Sequence, residues 1–331
     1  MGIENALSPS RGEGVTPRDA LYTDGSAELL RFRPAGGAPA APRLPVLLVP
    51  SIINRWYVLD LRPAATLAGE LVRAGHRVYL LDWGVPRDED RLLGWDDLVA
   101  RIGRAARATL RDSGATRLGL LGYCMGATLA GIWTALNPER VAGFVNLAGP
   151  FDFAQAGMLG TLTDRRWFDP AAAAAAGNIA PWLMQSGFVA LRPTQQLGKW
   201  VSFLDRAWDP AAREAFWALE GWAGDNVAFP AAAYERYVRE LYQENQLVLG
   251  RHHVAGARVD LSRIDAPLFT ITADRDGICP PPAALALGAL VSSRDREALE
   301  LSGGHVGAVV GAKATRTLYP RLASWLRERL S

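Results

Sequence analysis

The stretch Gly122-Tyr123-Cys124-Met125-Gly126 constrains this chain more than any other, because it turns a strand into a helix with almost no loop between them. Arg117-Leu118-Gly119-Leu120-Leu121 reads as a short buried strand, and Ala127-Thr128-Leu129-Ala130-Gly131-Ile132-Trp133 as a tightly packed helix. Small residues at 122 and 126 let strand and helix approach closely. The residue at the apex is then forced into a strained conformation with its side chain raised above the sheet, the arrangement of a nucleophile elbow. Cys124 at that apex supplies a strong nucleophile and a good thiol leaving group. A small buried structural cysteine is the plainer reading of an arbitrary Cys. The G-x-C-x-G spacing in a strand-to-helix setting favours the reactive one.

Around the elbow, strand and helix patterns alternate. Tyr22 to Phe32 and Leu44 to Val49 read as strands, separated by an Ala/Gly/Pro-rich loop from Pro34 to Pro42. Leu61 to Ala74 has helical period and Gly75 stands where a helix would stop. A buried strand follows over His76 to Gly84, then a helix over Asp96 to Ser113, and the strand Val141 to Leu147 succeeds the elbow helix. This order predicts an α/β fold with a doubly wound, mostly parallel sheet. From Phe151 to Asn245 strand signals vanish and tryptophans gather at Trp167, Trp182, Trp200, Trp208, Trp217 and Trp222. They suit cap core, channel lining or a contact surface, and the alanine run 171–176 reads as helix filler. The expected organisation is a flexible N-terminal arm over 1–20, a core of 21–150 and 246–331, and a mainly helical cap inserted over 151–245. Ala266 to Thr272 and Ala298 to Leu301 should supply the last strands, and Thr315 to Leu330 a terminal amphipathic helix.

Composition narrows the function classes. A formal charge of +2 over 331 residues, with scattered arginines and no phosphate-cradling glycine loop, gives no nucleic-acid footprint. No run of about twenty apolar residues suggests a membrane span, and Met1 to Arg18 lacks the apolar core of a secretory signal. A soluble cytoplasmic chain is expected, with its two cysteines, Cys124 and Cys279, reduced.

A thiol nucleophile needs a base, and there are four histidines to choose from. His76 precedes a strand on the wrong side of the core, and His252 and His253 lie in the connection returning from the cap. His305 follows the last expected strand in Ser302-Gly303-Gly304-His305-Val306-Gly307, at the carboxyl edge where open α/β sheets place their sites. An exposed loop histidine is the alternative. The strand ending at Thr272 delivers two acids, Asp274 and Asp276, of which Asp276 sits in the tight turn before Ile278-Cys279-Pro280-Pro281 and is favoured. Nucleophile, acid, histidine is the chain order of the α/β-hydrolase triad, so the α/β-hydrolase fold is the expectation. The Met125 amide should be one oxyanion donor, and Ile53 the second, with Ile52 as the alternative, from the loop after Leu47-Leu48-Val49.

Beyond the elbow, the sequence resembles the polyhydroxyalkanoate synthases, particularly the short forms that work with a partner subunit. The resemblance is carried by Gly122-Tyr123-Cys124-Met125-Gly126-Ala127-Thr128-Leu129, Ile53 to Leu61, Val78 to Pro86, Leu241 to Leu247, Arg275 to Pro281 and Gly303 to Gly307, so it spans roughly 45–310. It implies a triad of Cys124, Asp276 and His305, a 3-hydroxyacyl-coenzyme A substrate, a polyester product and an acyl-cysteine intermediate. It implies no metal or prosthetic cofactor, a homodimer or hetero-oligomer with a synthase partner, and a place at the polymer granule surface. Two positions depart from the family's pattern: Ala127 stands where glycine is usual and Gly277 where histidine is usual. A cysteine-dependent depolymerase or thioesterase on the same scaffold is the alternative, and a non-catalytic granule- or synthase-binding relative is the second.

Overall fold

The computed structural model describes residues 14–34, 44–191 and 193–330. Among these residues eight strands make the main sheet: β1 (Arg18–Asp24), β2 (Ala27–Phe32), β3 (Val46–Val49), β4 (Val78–Asp82), β5 (Leu118–Tyr123), β6 (Val141–Leu147), β7 (Leu268–Ala273) and β8 (Arg296–Leu301). Their spatial order is β1-β2-β4-β3-β5-β6-β7-β8. β2 runs antiparallel to β1 and β4, and the remaining pairs are parallel. Every residue of β3, β5, β6 and β7 is buried, as expected of parallel strands covered on both faces.

Two cores lie against the two faces. Leu47, Val49, Leu118 and Leu120 pack on the face covered by α2 (Trp95–Ser113) and α3 (Met125–Leu136). Val46, Leu48, Leu121 and Tyr123 alternate to the other face, under α1 (Leu67–Arg73) and the terminal helix Tyr319–Arg329. The chain leaves β3 for β4 on one side and β5 lies on the other. The carboxyl ends of β3 and β5 therefore flank a topological switch point, where α/β sheets open a crevice.

Between β6 and β7 the chain runs through α4 (Gly157–Leu162), α5 (Pro170–Ala174), α6 (Pro181–Leu191), α7 (Pro193–Leu204), α8 (Pro210–Gly224) and α9 (Ala231–Arg236). Helix α9 continues into a π-helical turn, Tyr237–Gln243. Proline opens α5 and α8, and the carboxylates of Asp169 and Asp209 accept from Ala171 N and Ala211 N, each at 2.9 Å. The two ends of this excursion are stitched together: Asn245 Oδ1 accepts from Phe153 N at 2.9 Å and its Nδ2 donates to Asp152 at 2.8 Å. Of the six tryptophans here, Trp222 is buried, while Trp182 and Trp208 are 70% and 79% exposed and so contribute little to the core.

Three expectations need correction. Residues 1–13 of the expected arm lie outside the described residues, but Arg18–Asp24 is sheet, and Val15 N and Thr16 N each donate to Asp60 Oδ2 at 2.9 Å. The stretch expected as one strand from Tyr22 to Phe32 is a hairpin, broken at Gly25, whose φ is +62°. The helix expected from Leu61 begins at Leu67. Asp60 and Thr66 form a two-stranded ribbon instead, and the Thr66 hydroxyl, accepting from Gly69 N at 2.7 Å, caps the helix there. The expected loop at 34–42 lies, after Pro34, outside the described residues.

Candidate active site

Cys124 stands between β5 and α3 at φ +57°, ψ −132°, a region that L-residues enter only under constraint. Its N–H donates to Leu147 O and its carbonyl accepts from Ala127 N, both at 2.9 Å. A methyl group on Gly122 would come within 2.2 Å of Ala127 Cα, and one on Gly126 within 2.2 Å of Val49 O, so both glycines are required by close backbone approach. The departure at Ala127 is accommodated by a third glycine: a Cβ on Gly149 would lie 2.3 Å from the Ala127 Cβ.

The side chains of Asp276 and His305 meet in the loops after β7 and β8. His305 Nδ1 lies 2.6 Å from Asp276 Oδ2, with both side chains almost wholly buried. Asp276 Oδ1 accepts from Ile278 N at 2.8 Å and Cys279 N at 2.9 Å, which fixes the carboxylate in its turn. Asp274 is held elsewhere, accepting from Gly303 N at 2.8 Å and tying the loops after β7 and β8 together. Geometry thus separates the two acids: one touches the imidazole and the other braces a loop. Tyr123 stacks on His305 with ring centroids 5.3 Å apart. Among the described residues no oxygen or nitrogen partners the buried His305 Nε2, and the imidazole interacts with the Cys124 side chain, to which it can serve as base. Burial acts to lower the His305 pKa, but the Asp276 carboxylate and then Cys124 outweigh it and hold the imidazole well above 6.5.

The other histidines take no part here. His76 is buried with Nε2 3.4 Å from Ala323 O, on the terminal-helix side. His252 is buried 3.1 Å from Glu240, and His253 Nδ1 lies 2.8 Å from Arg251 O.

Cys124 opens into a cavity of about 380 Å³ whose wall includes Ile53, Met125, Leu183, Phe188 and Phe229. Ile53 lines it and Ile52 does not, and the Met125 amide, first in α3, has no intrahelical acceptor. Trp83 Nε1 donates to Pro50 O at 2.9 Å, and Val227 N to Ile53 O at 3.3 Å, holding the loop of Ile53 from both sides.

Among the cavity residues that the sequence reading did not single out as site residues are Tyr234, Tyr237, Tyr242 and Cys279. Tyr237 and Tyr242 are five apart and on an α-helix would diverge. The π-helical turn brings their rings to 5.3 Å, and such a turn inside a helix is a frequent mark of a functional site. Burial pushes the Cys279 thiol well above its ordinary pKa, aided by Asp276 and Cys124. A cysteine three residues after Asp276 was the available signal.

Residues 45–312 match the alpha/beta hydrolase fold family. Over 99% of its length the chain is 32% identical to the poly(3-hydroxyalkanoate) polymerase subunit PhaC of Allochromatium vinosum, covering 94% of that protein. It is also 32% identical over 99% of its length to the protein of the same name from Synechocystis sp., covering 89% of it. An alpha/beta hydrolase fold protein from Nakamurella multipartita, 18% identical, superposes with a TM-score of 0.52 over 94% of this chain and 99% of that one, a likeness of fold alone. With the sheet, the elbow and near-complete coverage at this identity, the chain belongs to the poly(3-hydroxyalkanoate) polymerase family, within the α/β-hydrolase fold.

Proposed function

We propose that the chain is an acyltransferase that polymerises 3-hydroxyacyl groups from coenzyme A thioesters into polyester through Cys124, His305 and Asp276. His305 Nε2 takes the Cys124 proton and the thiolate attacks the thioester carbonyl. The tetrahedral oxyanion is met by the amides of Met125 and Ile53. As it collapses, coenzyme A leaves with the proton from His305 and the acyl group stays on Cys124 as a thioester. A chain-end hydroxyl then gives its proton to His305 and attacks that thioester, which lengthens the ester and frees Cys124. Asp276 keeps Nδ1 protonated and supports the imidazolium formed in each half. The steps need only nucleophile, base and oxyanion donors.

The observation that carries this reading is the 2.6 Å contact of His305 and Asp276 beneath a cysteine that opens into an apolar cavity. An apolar wall of this kind suits an acyl group better than water. A place at a polymer granule and a partner subunit belong to the same proposal; among the described residues, no helix is long and apolar enough to cross a membrane.

The test is coenzyme A release from 3-hydroxybutyryl-coenzyme A by the native chain and by Cys124→Ala, with products separated by size. Polyester formed only with Cys124 present supports the synthase. Free 3-hydroxybutyrate alone moves the assignment to a hydrolase, and no release even with a partner subunit added sinks the catalytic reading for this substrate.

A further inference from the structure

Among the described residues, none that lines the Cys124 cavity carries a positive charge. That suits an acyl chain and leaves unanswered where an anionic donor would be held. Beside it lies a second cavity of about 430 Å³, lined by Arg165, Gln243, Glu244, Gln246 and Arg251. The two share a wall. Thr163 and Tyr242 face the first cavity, Arg165 and Gln243 the second, so no more than a segment or two of backbone separates them. Gln243 holds this wall in place, its Nε2 donating to Thr163 O at 2.9 Å and Phe168 O at 3.0 Å.

Arg165 and Arg251 come to this pocket from opposite ends of the helical excursion. Among the described residues, neither guanidinium has an ion-pair or hydrogen-bond partner. The acid next to Arg165, Asp164, is taken by Arg166 through Nε at 3.0 Å and Nη2 at 2.8 Å. Elsewhere the pairing is close: Arg321 meets Glu297, and Arg329 meets Asp295. Glu244 is the pocket's carboxylate, and its Oε2 accepts from Gln246 Nε2 at 2.5 Å. Two unpaired guanidinia against one carboxylate leave a positive surplus, and guanidinium is the side chain best matched to phosphate oxygens.

We propose that this pocket holds the phosphate-bearing nucleotide head of the acyl donor, with Arg165 and Arg251 on its phosphates and the thioester end reaching Cys124 across the Thr163–Phe168 wall. The inference rests on the reading of Cys124 as the site of acyl transfer from a coenzyme A thioester. It divides the labour between the cavities: the apolar one receives the acyl group, and the polar one receives a head common to every such donor.

The experiment has two readouts on the full chain. Titration calorimetry with adenosine 3′,5′-bisphosphate should show binding that weakens about tenfold in Arg165→Ala/Arg251→Ala, tightens in Glu244→Gln and fades with added salt. In parallel, the KM for 3-hydroxybutyryl-coenzyme A, divided by that for the N-acetylcysteamine thioester, should rise about tenfold in the double variant. No bisphosphate binding to the native chain, or binding and a KM ratio that ignore both arginines, overturns the phosphate site. Loss of native turnover with both thioesters instead overturns the acyl-transfer reading beneath it, so the two failures are distinct.

Discussion

The carboxyl edge of the sheet and the helical excursion between β6 and β7 close on the same cavity, yet they are built differently. At the sheet edge, backbone meets backbone: Gly126 lies against Val49 O, Cys124 N against Leu147 O, and Asp276 against two amides of its own turn. Across the excursion, backbone bonds such as Val227 N to Ile53 O and the Ile179–Phe229 pair join side-chain ties such as Trp222 Nε1 to Arg55 O, and much apolar surface remains outside, including Met158, Trp182, Val201, Leu204 and Trp208. Atoms that exchange protons within hydrogen-bond distance need the first kind of construction, because an error of an ångström there is costly. On the proposed function, an acyl chain would be received by the second, with the chemistry at the sheet edge and the substrate wall in the helices.

The sharpest break in this contrast is at the elbow. Cys124→Ala should lower coenzyme A release at least about 10⁴-fold while moving the denaturation midpoint little, because the apex side chain is only half-buried. Asp276→Asn should cost about 10³- to 10⁴-fold in turnover, since an amide no longer holds Nδ1 protonated. Its effect on stability should depend on pH with a definite sign. The folded pKa of His305 is raised, so the stabilisation it brings is full below its unfolded value near 6.5 and disappears as pH rises through the folded value. The stability gap between native chain and Asp276→Asn should therefore be widest in acid and narrow on the alkaline side, which denaturant titrations across that range would read. A gap that widens with rising pH would contradict the charge assignment. Next in size, Gly126→Ala should destabilise by about 3 kcal/mol or fail to fold, because the added methyl meets the carbonyls of Val49 and Pro50, and backbone cannot step aside.

The same contrast explains what could be read from the sequence. The elbow was legible because its glycines, strand and helix are contiguous, and β6 was read to its exact ends because a run of buried residues carries its own boundary. His305 stood out because few histidines competed, whereas the contact that separates Asp276 from Asp274 is spatial. The start of α1 was hidden for a different reason. Asp60 is held by Val15 and Thr16 from forty-four or more residues away, and periodicity contains no trace of a partner that distant. Tyr242 was hidden because its place on the cavity depends on a π-helical turn, which departs from the period used to assign faces. Local rules were enough for the elbow, and long-range hydrogen bonds and irregular helix decided the cavity wall.

The smallest effect is the one that tests the other side of the comparison. Trp182 opens α6 at 70% exposure, and a side chain that gains so little burial on folding contributes little to stability. Trp182→Ser should change the unfolding free energy by no more than about 0.5 kcal/mol, whereas Trp222→Ala should cost about 3 kcal/mol or more. Trp222 is buried and its Nε1 donates to Arg55 O at 2.8 Å, fastening α8 to the loop that carries Ile53. Both are tryptophans of the same helical segment, so composition cannot account for the difference; only the side each one faces can. Equal losses for the two would mean that the outer surface of α6 is packed against something in the folded protein, and the division between a rigid edge and a partly exposed cover would have to be redrawn at that helix.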